Sequence, residues 1–198
     1  MPNAPFLAPE RDSAFKVGRA KGAGTTYYSI PGVVATVRGS HSSTSGTDFY
    51  APWAARTPII IDQLVCEVTT TGGTNHRMGF YAADTNWQPV GAPLADSGNL
   101  DSTTTGIKTY TPGTAIFVPR GRYVSVFNAD NASLGARSFL GTTETSYGNN
   151  SGVLAFVNQL YVTRAYAAFP TPGTAWDTVS LFGSSWQEHI VMYRVSQP

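Results

Sequence analysis

From Thr25 onward, short apolar runs alternate with clusters of Gly, Pro, Ser, Thr and Asn, the spacing of a β-sandwich or barrel. Strands are predicted at about 26–30, 33–38, 48–53, 58–70, 76–82, 106–111, 114–118, 121–128, 136–141, 153–164, 178–182 and 187–195, and no segment has the period of a long helix. Period two is clearest at Leu64, Cys66 and Val68, which share one face while Gln63, Glu67 and Thr69 take the other; Val65 interrupts the alternation. Arg122 to Phe127 and His189 to Val195 are apolar on both faces, as in strands covered on both sides. A second layer is therefore expected, either another sheet or another subunit. Pro112-Gly113 and Pro119-Arg120-Gly121 are turn signals that predict a hairpin and a meander over Gly106 to Phe127. Asn128 to Ser133 then forms a loop.

The first 24 residues have no periodic pattern and carry Pro2, Pro5 and Pro9, so they read as an extended arm preceding one domain over 25–198. Arg11, Lys16, Arg19 and Lys21 are spaced among Phe15 and Val17 there, either as a solvated tail or as an arm that docks on a partner. At 198 residues with 41% hydrophobic content the chain can build a core of its own. Only 13% of residues are charged, about half the usual share. A surface of Thr, Ser, Asn and Gly suits burial against neighbouring subunits or contact with neutral sugars. A net charge of +1 gives no field for nucleic acid. The amino terminus lacks a secretory leader, and no apolar run approaches the roughly 20 residues of a membrane helix; a protein made in the cytoplasm without membrane insertion is expected.

The search for chemistry yields no assembled centre. The single Cys66, inside LVCEV, excludes a disulfide framework and reads as a buried thiol. His41, His76 and His189 fall in separate elements without metal-ligand spacing. No GxSxG, GxxxxGK[ST] or GxGxxG occurs. Asp84, Asp96, Asp101 and Asp130 lie in Asn/Gly/Ser-rich loops where carboxylates cap turns. Asp84, Asn86, Asp130 and Asn131 carry oxygen ligands suited to calcium but lack the ligand-loop spacing. Sequons begin at Asn131 and Asn149 and, without a leader, read as accidental. No catalytic residue, metal or cofactor is expected. Aromatics make up 12% of the chain. Trp176 and Trp186 are expected in the core. Trp87, in DTNWQP, is either an exposed platform for a sugar or protein, or a lid folded over the core.

The stretch Gly79-Phe80-Tyr81, Asp84-Thr85-Asn86, Pro89-Val90-Gly91, Leu94-Ala95-Asp96-Ser97-Gly98 and Thr104-Thr105-Gly106-Ile107-Lys108 resembles a β-sandwich module of bacteriophage tail fibres and other virion proteins. Pro112 to Val126, which carries Gly121-Arg122-Tyr123-Val124-Ser125-Val126, resembles its next hairpin. The resemblance covers residues 58–140. Trp87-Gln88 departs from it, placing a bulky side chain where Gly is common. The resemblance implies an all-β, antiparallel, jelly-roll-like sandwich in a phage virion protein without catalytic residues.

Attachment to other virion proteins is then expected through the arm, with Phe6, Leu7, Arg11, Phe15, Lys16 and Arg19 as candidates. A homotrimer is expected, displaying loops at 83–105 and 142–152 to a host-surface glycan or protein, with Asp84, Asn86, Trp87, Tyr147 and Asn149 as contacts. Three weak sites on one tip would add by avidity. A capsid decoration or connector protein without a ligand is the alternative; a carbohydrate-binding module or depolymerase is a third.

Overall fold

Fourteen strands and no helix occur among the described residues of this computed structural model, which are 28–29, 38–42, 45–55, 57–140, 160–171, 173, 187–189 and 191–196. The strands are β1 (Tyr28–Ser29), β2 (Arg38–Ser42), β3 (Thr47–Ala55), β4 (Ile59–Thr70), β5 (Asn75–Ala83), β6 (Pro89–Asp96), β7 (Leu100–Asp101), β8 (Gly106–Tyr110), β9 (Ile116–Val118), β10 (Gly121–Ala129), β11 (Gly135–Leu140), β12 (Leu160–Thr163), β13 (Gln187–His189) and β14 (Met192–Ser196). They form two antiparallel sheets packed face to face, a β-sandwich. One sheet runs β1-β14-β4-β11-β13, with β2 on β11 and both β8 and β9 on β4. The other runs β12-β3-β10-β5-β6, with β7 on β5.

The central strand of the first sheet is β4. Its register against β14 shifts between Arg194 and Val195. That shift lets Ile59 and Ile61 as well as Leu64, Cys66 and Val68 reach the core although their spacing breaks strict alternation. Val65, on the opposite face, is nonetheless buried. Between the sheets Trp53 stacks on Tyr123 at 4.7 Å and lies 5.2 Å from Tyr193, whose ring meets Phe80 edge-on at 5.4 Å. The Tyr193 hydroxyl is bonded to Ser125 Oγ at 2.5 Å, so the buried phenol keeps a polar partner.

Three expectations need correction. The predicted loop at 83–105 contains β6 and β7, because β6 pairs with β5 despite its Pro and Gly residues, and lies at the sheet edge where Pro is tolerated. The predicted hairpin and meander over Gly106 to Phe127 do not form. β8 and β9 both pair with β4, while β10 sits between β3 and β5 in the other sheet. The turn at 119–120 thus carries the chain from one sheet to the other. Finally, β10 is covered on both faces by this chain alone: Tyr123 and Phe127 face the main core, and Val124 and Val126 belong to a second cluster with Tyr50, Tyr81, Val162 and Phe169.

That second cluster is closed by the segment following β12, residues 164–171, which crosses the outer face of the second sheet as a strap. Arg164 grips the fully buried Asp48 through Nε at 2.6 Å and Nη2 at 3.0 Å. Phe169 inserts its ring against Tyr81 and donates its backbone N–H to Asp96. Tyr81 donates its hydroxyl to the Pro170 carbonyl, and Gly173 N–H reaches the Gly91 carbonyl. Gly79 lies under this crossing: a Cβ there would sit 2.2 Å from the Ala95 carbonyl oxygen and 3.0 Å from Phe169. Only a residue without a side chain allows that approach.

Candidate functional site

The β5–β6 connection, residues 84–88, is where the sequence placed three of its contact candidates. Asp84 builds this turn. Its Oδ1 accepts the backbone N–H groups of Asn86 and Gln88, each at 2.8 Å. Its own N–H donates to the Gln88 carbonyl, and Trp87 N–H donates back to the Asp84 carbonyl. The chain thus reverses over residues 85–87, the last of them left-handed, in the manner of a three-residue hairpin loop. Glycine ordinarily fills that last position. Here it is Trp87, at φ 65°, the one non-glycine residue with positive φ among the described residues. A bulky side chain in this region costs about 1–3 kcal/mol, which surrounding contacts must offset.

Those contacts are visible. The indole of Trp87 is half-buried and packs against the second cluster, while the Arg122 guanidinium lies over its ring at 5.3 Å. Arg122 Nη1 also donates to the Thr85 carbonyl at 2.8 Å, so strand β10 holds the turn from beneath. Trp87 is thus neither a free platform nor a sealed lid. It is an anchored aromatic at a hairpin tip, with Thr85, Asn86 and Arg122 exposed beside it.

Asp84 Oδ1 organises the turn. Asp130 is used the same way: it accepts Thr74 and Asn75 backbone N–H groups and the Thr74 hydroxyl, joining the β4–β5 turn to the end of β10. Both carboxylates thus serve turns, the role their Asn/Gly/Ser-rich surroundings suggest, and Asn131 caps its own turn by accepting from Ser133 N–H. Among the described residues no three His, Cys, Asp or Glu side chains gather as a metal site.

The module motif acquires physical content from the same geometry. Asp96 ends β6 by accepting Gly98 N–H, and Ser97 Oγ accepts Met78 N–H. Asp101 collects the Thr103 and Thr104 hydroxyls and the Lys108 ammonium, and the Thr103 bonds hold its carboxyl below the usual carboxylate range. Lys108 bonds Thr104 as well, at 2.6 Å. The Asp-Ser-Gly and Thr-Thr-Gly-Ile-Lys steps are thus turn devices.

One constellation escaped the sequence reading. Cys66, pointing inward from β4, meets His76, pointing inward from β5 in the other sheet: Sγ to Nε2 is 3.3 Å, and His76 Nδ1 is 2.9 Å from Ser102 Oγ. All three are buried. Burial pushes the thiol up to about 12 and the imidazole down to about 4, so both are neutral at pH 7. A protonated, enclosed thiol is a poor nucleophile. No spacing rule links these residues, because they come from different sheets. His41 and His189 lie in β2 and β13, both in the first sheet.

Tyr147 and Asn149, the loop at 142–152, the arm with Phe6, Leu7, Arg11, Phe15, Lys16 and Arg19, and Trp176 and Trp186 lie outside the described residues. Comparison of the chain with protein-family models and with curated proteins yields no match.

Proposed function

We propose that the chain is a structural protein of a bacteriophage virion, of the tail-fibre or spike type, that attaches through its N-terminal arm and presents the hairpin tip at 84–88 to the host surface. The observation that carries this reading is the construction of the tip. A rigid, carboxylate-organised turn holds Trp87 in a conformation that disfavours it, with Thr85, Asn86 and Arg122 exposed around it. Strain of this kind is retained where something depends on it. The resemblance of residues 58–140 to a virion module adds to the case. Assembly as a homotrimer is part of the proposal, and it would multiply one shallow contact into useful avidity.

A decoration or connector role has its own support. Ile107 and Phe117, on β8 and β9, are 69% and 59% exposed, and large apolar side chains on a surface suit contact with neighbouring virion subunits.

A density map of intact particles, with the chain located by antibody against it, tests the virion assignment, and absence from the particle overturns it. Binding of the purified chain to host cells then separates the two roles, since a decoration protein binds none. Deleting residues 1–24 should abolish incorporation while leaving the oligomer intact; normal incorporation rules out attachment through the arm.

A further inference from the structure

We infer that the hairpin tip carries a subsite for an acidic saccharide, in which the Arg122 guanidinium receives the sugar carboxylate and Trp87, Thr85 and Asn86 border the ring. This names the ligand class of the host-surface contact proposed above and rests on that reading.

Arg122 differs from five other cations among the described residues. Arg77, Lys108, Arg137, Arg164 and Arg194 each face a carboxylate: Asp96, Asp101, Glu67, Asp48 and Asp62 respectively. Arg122 is fixed instead by a backbone carbonyl at 2.8 Å and by the indole at 5.3 Å. Neither contact neutralises it, and among the described residues no carboxylate pairs with it. The carbonyl engages Nη1 only, which leaves Nε and Nη2 as donors. A guanidinium held in place with in-plane donors remaining is organised for a carboxylate, which it can take through two parallel bonds.

The surroundings select the rest of the ligand. Thr85 and Asn86 are exposed and neutral, suited to hydroxyl groups, and the rim of a half-buried indole suits the apolar edge of a pyranose. The neighbouring cation Arg120 is exposed on the adjoining turn, and the whole chain has a net charge of only +1. That is too little positive charge for a phosphate polymer. One anchored guanidinium among neutral donors and an aromatic rim matches one carboxylate per sugar.

The test is calorimetric titration of the full-length chain with oligogalacturonate and with sialyl-lactose, against methyl-esterified oligogalacturonate and a glutamate-rich peptide. At least one acidic sugar should bind, with the ester and the peptide at least about tenfold weaker. Arg122→Gln, which keeps an unbranched polar side chain with N–H donors and loses the charge, should weaken binding by the same factor. Trp87→Gly, which fits the left-handed backbone, should weaken it while circular dichroism remains native. Arg120→Gln should bind as the unaltered chain does. Failure of both acidic sugars, equal binding of ester or peptide, or undiminished binding by Arg122→Gln overturns the subsite. Host-cell binding by the native chain and by Arg122→Gln separates the two levels. Equal adhesion of both leaves the host-surface reading standing and removes the subsite, whereas no adhesion by the native chain removes that reading and leaves the titration to decide the subsite.

Discussion

Cys66 Sγ lies 3.3 Å from His76 Nε2 across the interior of the sandwich, a buried polar contact between the two sheets. The thiol is pushed up to about 12 by burial, so it keeps its proton at pH 7. The imidazole Nδ1 is hydrogen-bonded to Ser102 Oγ, 2.9 Å away. Phe127 stacks on the ring at 5.7 Å. Desolvation and then Lys108 lower the imidazole to about 4, opposed by Asp101 and Asp130.

Acid should therefore destabilise the fold through His76. Because its folded value lies below the unfolded value of 6.5, the unfolded chain binds the extra proton. Stability is full above about pH 6.5 and falls as pH drops towards 4, by about 3 kcal/mol from this group at most. Urea denaturation from pH 8 to 4 measures the loss. His76→Asn retains an N–H donor and cannot titrate, so its profile between pH 6.5 and 4 should be markedly flatter. A slope as steep as that of the unaltered chain would refute the assignment. Cys66 should react with thiol reagents only as fast as the sandwich opens.

The strap should depend on the buried pair of Arg164 and Asp48. Asp48 has no exposed surface and accepts two bonds from Arg164 and one from Asn128 Nδ2. Arg164→Ala leaves a carboxylate enclosed without its cation, which should cost about 3–5 kcal/mol and open residues 164–171 to protease. Replacing both partners, Asp48→Leu with Arg164→Met, should recover a large part of that loss, because the penalty comes from the uncompensated charge. A double variant no more stable than Arg164→Ala would mean that the bonds themselves, and not the stranded charge, hold the strap.

Gly79→Ala should be among the most damaging single-methyl changes in the chain. The added carbon would meet the backbone carbonyl of Ala95, which cannot move without parting β5 from β6. A loss of about 3 kcal/mol, the upper end of overpacking, is expected in the urea midpoint. Gly113→Ala is the control, since a Cβ there meets nothing within 4 Å; it should shift the midpoint little. Comparable losses for the two would show that the close approach at Gly79 is not what constrains it.

Much of the architecture was legible because local pattern and burial agree. Leu64, Cys66 and Val68 face the core as their alternation implies, and the two-sided run at Val124 and Val126 required a cover. What the pattern could not supply was the source of that cover. Phe169 is about 40 residues further along the chain, in a Pro-flanked segment with no strand period, and only tertiary packing brings it over β10. The meander failed for a related reason. The turn chemistry at Pro119 and Gly121 marks a reversal but carries no record of which sheet receives the next strand. At the tip, Asp84 and Trp87 were visible as residues, but DTNWQ gives no sign that Trp87 occupies the glycine position of the turn or that Arg122 would lie over it. Ion pairing across the sequence, as between Arg164 and Asp48, was equally hidden.

Asp84 offers the most direct check on the nature of the tip. If its carboxylate is a turn device, Asp84→Ala frees the N–H groups of Asn86 and Gln88 and should cost about 1–2 kcal/mol, a range set by two partly solvated bonds to one charged acceptor. Asp84→Asn keeps an acceptor oxygen and should retain about half of that stabilisation or more. Millimolar calcium should leave the melting temperature of the native chain unchanged, because Oδ1 already serves two donors. A calcium-dependent rise that disappears in Asp84→Ala would instead make Asp84 a ligand, and the rigid turn beneath Trp87 would then be a consequence of the ion.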